Sequence, residues 1–444
     1  MERKRQPPAA HGASESPGNQ LLSTGGGGKD ADGPGVRSPG PAGTVDLGAP
    51  HARPSGRPER RTQVRSEFST SGLAPATRGW PFHKIDLQLG SVTLQGYTAQ
   101  LVGALFCSPL LDVHPQLPAL REAHRGWNER MNLASSAVVD RLHLWDLWSD
   151  CVPGASVRAA SIIADYCLLF TVMDDIAEQY FTADDFVEPD GALTDVVSVM
   201  AGRAPRGGSA ARYPHYARLI EVSLDLRTRI LECGASAAMF QLFLDGMDRY
   251  RRGVVQQVYM SQHNLSVSRE TQLYNRFLNV AMDPTIVLLC IVDGIDIGLD
   301  MAEHPMMERL HIALCRISAA MNDIISFPKE VQQGFGDAQY HNLVAASFNE
   351  LSRLQHVSNP LELAIARSFD FHNNEFRDAL EIGSDVSAGR PHLTRYVRMG
   401  LRAHRSFMVW CLSADRYRAA MGVSEVVLSD KRVRIVWPKP DRSV

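Results

Sequence analysis

No two cysteines in this 444-residue chain form a C-x-x-C pair, and the seven present (Cys107, Cys151, Cys167, Cys233, Cys290, Cys315 and Cys411) are odd in number and widely scattered. That spacing argues against a disulfide framework and a zinc site, and fits buried thiols in a reducing compartment. Long apolar runs are equally scarce. The longest clean one, Ile286 to Val292, is far too short to cross a bilayer, and no charged start with an apolar middle marks a signal peptide at Met1. A soluble, cytoplasmic protein without a membrane span is expected. Charge of one sign is missing too: 46 basic side chains face 49 acidic ones, for a formal charge of -3 and an isoelectric point near 6.6. Binding nucleic acid by neutralising many phosphates is therefore excluded as the main activity.

Aromatic residues are absent from the first 60 positions, which hold 21 of the 59 glycines and prolines, including the run Gly25 to Gly28. Such a segment buries too little apolar surface to offset the entropy of ordering it, so residues 1–75 read as a disordered Gly/Pro-rich tail. From about Trp80 to about Met421 apolar residues recur at three and four, and Pro-Gly turns are few. Strand-like segments appear mainly at Val423 to Leu428 and Val433 to Trp437, and no repeat of 20 to 50 residues is visible. The expectation is an all-α catalytic domain over 80–421, followed by a C-terminal extension over 422–444.

Two helical segments break the rule that cores are apolar. Ser161 to Phe181, SIIADYCLLFTVMDDIAEQYF, is apolar nearly all round yet carries Asp174, Asp175 and Glu178. At 100° per residue Asp174 and Glu178 share a face one turn apart, with Asp175 beside them. No Lys or Arg lies within a turn, so the countercharge comes from elsewhere in the fold, from a metal, or from water at a cavity mouth; the plain alternative is a helix end emerging into solvent. The second segment, Leu310 to Gly334, has an apolar front half and then presents Asn322, Asp323, Ser326, Lys329 and Glu330. Positions 322, 326 and 330 step by four and line one stripe. An amide, a hydroxyl and a carboxylate in a row make a hard-oxygen set suited to Mg²⁺ or Mn²⁺ and unsuited to zinc; a solvated polar face is the alternative.

Taken together, the D-D-x-x-E of Asp174 to Glu178 and the N-D-x-x-S-x-x-K-E of Asn322 to Glu330 resemble the two metal-binding motifs of class I terpene synthases. The order of the motifs and their separation of 148 residues look like single-domain microbial members. Arg276, 46 residues before Asn322 in LYNRFLNV, stands where the family carries a diphosphate-sensing arginine, and Arg416-Tyr417, preceded by Trp410, is similar to its terminal Arg-Tyr pair. The resemblance covers roughly Trp80 to Tyr417.

The resemblance implies a bundle of antiparallel helices around an apolar cavity, with the two motifs facing each other across its mouth. It implies three Mg²⁺ ions, or Mn²⁺ in their place, held by Asp174, Asp175 and Glu178 on one wall and by Asn322, Ser326 and Glu330 on the other. Arg276, Lys329, Arg416 and Tyr417 are implied to bind the diphosphate, with Arg276, Arg416 and Tyr417 counted as catalytic. The implied activity is ionisation of an allylic prenyl diphosphate, farnesyl diphosphate foremost, and cyclisation to a sesquiterpene by a monomer or homodimer. Alternatives are a cyclase for geranyl or methylated geranyl diphosphate, a chain-elongating isoprenyl diphosphate synthase, and a non-catalytic helical binding protein. Asn322-Asp323 in place of a second D-D-x-x-D motif speaks against elongation, and retention of Asn322, Ser326 and Glu330 speaks against a degenerate protein. Phe170, Phe240, Phe243 and Trp410 offer aromatic faces to a carbocation, but core packing is the favoured reading of each. Three departures stand out. Pro328 inside the second motif predicts a kink near Glu330, Val280 occupies a position where members usually carry a small residue, and Asp283-Pro284 predicts an interrupted helix.

Overall fold

Alternation of apolar residues in HKIDLQLGSVTLQGYTAQLVGALFC builds the first element, a hairpin of β1 (His83–Leu94) and β2 (Tyr97–Cys107). Ile85, Leu87 and Leu89 point inward, and then Val92 and Leu94 do. The three-residue step from Leu89 to Val92 is absorbed by a bulge, with the register shifting between Gln88 and Ser91 and Gly90 at φ 85°. Gln95 (φ 48°) and Gly96 (φ 84°) close the two-residue turn, whose positive angles match the strand twist. The sequence reading did not anticipate this hairpin, although the period-two pattern and the Gln-Gly pair carry its signal. The expected C-terminal strands do form, as β3 (Glu425–Leu428) and β4 (Arg434–Val436), giving an antiparallel sheet ordered β2-β1-β3-β4. The computed structural model describes residues 80, 82–109, 114–180, 187–208, 215–265, 267–333, 341–414, 425–428 and 434–436.

Helices dominate the rest of the described chain, as expected of an all-α class: α1 (Leu117–Met131), α2 (Ser136–Leu142), α3 (Leu144–Leu147), α4 (Val157–Tyr180), α5 (Val187–Met200), α6 (Tyr216–Glu232), α7 (Ala237–Gln262), α8 (Arg269–Asn279), α9 (Met282–Val292), α10 (Gly298–Glu303), α11 (Pro305–Gln333), α12 (Leu343–Leu351), α13 (Pro360–Ser387) and α14 (Pro391–Ser413). Local chemistry sets several starts. Ser236 Oγ accepts from Met239 N at 3.2 Å to cap α7, and Ser268 Oγ accepts from Thr271 N at 3.2 Å to cap α8. α4 is buried on nearly every side through Ile162, Ile163, Cys167, Leu168, Leu169 and Met173. Its internal Asp165 is tolerated because His124 Nδ1 lies 2.6 Å and Arg229 Nη1 2.7 Å from its oxygens, which ties α1 and α6 to α4. α11 packs against α13 and α14 with Leu310, Leu314, Ile317, Met321 and Ile324 buried.

Two stretches, Arg269–Val292 and Pro305–Gln332, are long and apolar enough to cross a membrane by composition, but 89% and 83% of their apolar windows are buried inside the protein. They are core elements, and the first is two helices. The predicted interruption lies at Val280 and Ala281, with Ala281 left-handed at φ 59°. Pro284 is then the third residue of α9, where its missing N–H would have had no helical partner.

Candidate functional site

α8 brings Arg276 into the interior. It lies against α7 at Gly253, where an added Cβ would sit 2.6 Å from Leu278 Cβ and 2.9 Å from Asn279 N, so only glycine lets the helices approach this closely. Beyond the break, Asp283 anchors α9. Its Oδ1 is 2.8 Å from His311 Nε2, and Arg249 Nε donates to Oδ2 at 2.5 Å. Burial pushes this carboxyl up, but His311 and Arg249 outweigh it and hold it at about 2.

Arg276 is 8% exposed, and protein acceptors meet all three of its guanidinium nitrogens. Nε donates to Asp323 Oδ1 at 2.8 Å, Nη1 to Asn279 Oδ1 at 2.6 Å, and Nη2 to Asn322 Oδ1 at 3.1 Å. Nη2 also lies 2.7 Å from Asp323 Oδ1. Asn279 Nδ2 continues the chain to Gln257 Oε1 at 2.5 Å. Burial would pull the guanidinium down, yet the charge and hydrogen bonds of Asp323, with Glu330 and Asp174 adding to them, hold it above its ordinary value. Asp174 and Glu330, one from each motif, therefore act on the same guanidinium. Burial raises the Asp323 carboxyl to about 7 even with Arg276 against it, because Glu330 adds a like charge.

On α4, Asp174 is half-buried and Asp175 exposed, while the side chain of Glu178 lies outside the described residues. On α11, Ser326 is buried, and Asn322, Lys329 and Glu330 are half-buried along one stripe. The helix runs through Pro328 to Gln333, so Glu330 stays in helical register with Ser326. Arg416 and Tyr417 lie outside the described residues; α14 ends at Ser413, three positions before Arg416.

Among the described residues no three His, Cys, Asp or Glu side chains gather as a metal cluster. The α11 stripe is a different donor set. Asn322 Oδ1 accepts from Arg276 Nη2, Ser326 offers a hydroxyl, and Glu330 Oε2 accepts from Asn342 Nδ2 at 2.8 Å, with His341 Nε2 3.6 Å away. These hard oxygens fit a divalent cation such as Mg²⁺ or Mn²⁺. Two residues outside the expected set belong to this region. Asp323 is the partner of Arg276, and its signal was a second carboxylate in a buried helix. Asn342 opens α12, and its signal was an N-cap residue before the apolar run LVAASF. Among the aromatics, Phe243 is fully buried against Tyr166 with ring centroids 5.5 Å apart, and Trp410 Nε1 donates to Leu142 O at 2.8 Å, both packing the core. Phe170 and Phe240 are half-buried, and Phe170 meets Tyr250 edge-on at 5.9 Å.

Residues 165–376, which hold both motifs and Arg276, match the family described as "Terpene synthase family 2, C-terminal metal binding". Sesquiterpene synthase 9 of Postia placenta is 24% identical over 288 residues, 62% of this chain and 75% of that protein. The (1R,4R,5S)-(-)-guaia-6,10(14)-diene synthase of Fusarium mangiferae is 25% identical over 217 residues, 46% of this chain and 51% of that one. The same fold occurs in 2-methylisoborneol synthase from Streptomyces coelicolor, solved with Mg²⁺ and 2-fluoroneryl diphosphate. The TM-score is 0.60 at 16% identity, covering 70% of this chain and 96% of that one. It occurs too in a-eudesmol synthase, with a TM-score of 0.55 at 19% identity over 69% and 97% of the two chains. Residues 165–376 thus match a terpene synthase family, and the helical fold is the one seen in class I terpene synthase structures.

Proposed function

We propose that this protein is a divalent-metal-dependent terpene cyclase that ionises an allylic prenyl diphosphate, farnesyl diphosphate foremost, and closes the carbocation to a sesquiterpene with release of diphosphate. The observation that carries the reading is the convergence on Arg276: Asn322 and Asp323 bond to it, and Asp174 and Glu330 act on it from the two motifs. The sesquiterpene assignment follows the name of the Postia placenta relative. In this reading Asp174, with Asp175 and Glu178 beside it, and Asn322, Ser326 and Glu330 hold Mg²⁺ ions. Bound there, the metal supplies Lewis acidity that stabilises the departing diphosphate. Arg276 meets that anion by exchanging a bond: an incoming oxygen competes with Asn322 and Asn279 for the Nη hydrogens, while the Nε bond to Asp323 keeps the fork aimed. Lys329, Arg416 and Tyr417 add donors to the same anion. The catalytic domain is taken as residues 80–421, preceded by the 1–75 tail and followed by 422–444, and the site of action as the cytoplasm.

Incubation with geranyl, 2-methylgeranyl, farnesyl and geranylgeranyl diphosphate in turn, with volatiles read by gas chromatography and mass spectrometry, tests this. A cyclic C15 product that disappears on chelation is expected, and Ser326→Ala should lower turnover by about 100-fold or more with an unchanged melting temperature. A C10 or methylated product would move the substrate assignment. Longer prenyl diphosphates formed only with isopentenyl diphosphate would replace cyclisation by chain elongation.

A further inference from the structure

Asn342 is fully buried, and its side chain works in two directions. Oδ1 accepts from Val344 N at 2.8 Å and Ala345 N at 3.3 Å, capping α12. Nδ2 lies 2.9 Å from Asp323 O, 2.8 Å from Glu330 Oε2 and 3.5 Å from Ser326 Oγ. An amide nitrogen has two hydrogens, and the two short contacts use both, leaving the hydroxyl at the limit of hydrogen-bond range. The next backbone N–H, of Leu343, donates to Asp323 Oδ2 at 2.8 Å. The start of α12 thus grips both carboxylates of the α11 site face, Glu330 by a side-chain donor and Asp323 by a backbone donor. Glu330 is half-buried on a side chain with three rotatable bonds, and its Oε2 is met by the directed Asn342 donor at 2.8 Å, with His341 Nε2 farther off at 3.6 Å.

We propose that Asn342 is a positioning residue for the divalent-metal site. Its carboxamide sets the conformation of Glu330 and ties it to the capped start of α12, so that cation binding on α11 is coupled to the order of α12. This role rests on the metal reading of Ser326 and Glu330 and goes beyond it, because Asn342 itself is no ligand. Asn342→Ser separates its two functions: the hydroxyl still caps α12 but is too short to reach Glu330. Mn²⁺ is titrated into the full chain in the presence of inorganic diphosphate and followed by electron paramagnetic resonance, with a thermal melt of the metal-free protein alongside. A melt within about 2 °C of the parent protein and an Mn²⁺ affinity lowered roughly 10- to 100-fold are expected. Parental affinity in Asn342→Ser overturns the proposal, as does a weakening that appears only together with a lowered melt. If Asn342→Ser fails to fold, Asn342→Thr takes its place, since a β-branched cap suits the observed φ of -121° and ψ of 129°. Ser326→Ala keeps the two ideas apart. Parental Mn²⁺ binding in that variant sinks the metal reading itself, whereas weak binding there beside parental binding in Asn342→Ser sinks the positioning role alone.

Discussion

A guanidinium survives in a helical core only when acceptors meet its donors, and Arg276 meets Asp323, Asn279 and Asn322. Arg276→Ala strands Asp323, whose carboxyl, already raised to about 7 by burial, then takes up a proton. The expected stability loss is therefore about 2 kcal/mol, short of the 3–5 kcal/mol typical of a stranded buried ion. Turnover should fall by about 100-fold or more. Arg276→Lys keeps the charge but not the fork, and should recover stability more than turnover. Denaturation curves and steady-state kinetics on the two variants check both numbers, and parental kinetics in Arg276→Ala would place the diphosphate sensor elsewhere. At this scale Asn322, Ser326 and Glu330 stood out by residue type and spacing, whereas Arg276 stood out only through the family resemblance. The bond from Arg276 to Asp323 was not legible, because it joins positions 47 residues apart and depends on how α8 meets α11.

Elements meet through backbone approaches that spacing does not reveal. The hairpin seats on α13 at Gly103, where an added Cβ would lie 2.7 Å from the ring carbons of Phe369. Asn373 completes the contact by bonding like a neighbouring strand: its Oδ1 accepts from Phe106 N at 3.0 Å and its Nδ2 donates to Ala104 O at 2.8 Å. Those groups would otherwise be an open sheet edge. Gly103→Ala should cost about 1–3 kcal/mol by forcing the hairpin off the helix. Its neighbour Val102, 51% exposed, should tolerate alanine to within about 0.5 kcal/mol. Equal losses in denaturant titrations of the two variants would mean the hairpin does not dock through Gly103. The strand signal was present in the sequence but was outweighed by the long helical texture around it. The α8–α9 interruption was foreseen from Asp283-Pro284, yet the turn falls two residues earlier, because a proline at the third helical position starts a helix rather than ending one.

Across the molecule, the hairpin, α13 and α14 meet at two buried imidazoles. His372 Nε2 lies 3.3 Å from His404 Nε2, which lies 3.3 Å from Phe106 O. Burial lowers His372 to about 4 and His404 well below the usual histidine range, where the charge of His372 adds to the effect. The unfolded chain therefore binds protons here more readily than the folded one. Stability from His372 is complete above about pH 6.5 and is lost as pH falls toward 4. Asp323 runs the other way: its raised carboxyl favours the folded state more as pH falls from about 7 toward 4. Asp283, held at about 2, matters only below about pH 4, where its contribution is lost as pH drops. Comparing melting temperatures of the parent chain and His372→Gln between pH 7 and pH 4 cancels the carboxylate contributions. The parent should fall more steeply, and parallel curves would mean that His372 is already protonated in the fold.

The sequence by itself determined the helical class, the two oxygen-rich motifs and the C-terminal strands, because each is written in local periodicity or in spacings of a few residues, while Arg276 stood out only through the family resemblance. Only the tertiary structure decided that Arg276 is engaged by Asp323, that Asn342 grips Glu330, that Gly103 admits Phe369 and that two histidines share a buried contact. Those pairings depend on which helix faces meet and at what separation, and packing sets both across distances that no local pattern spans.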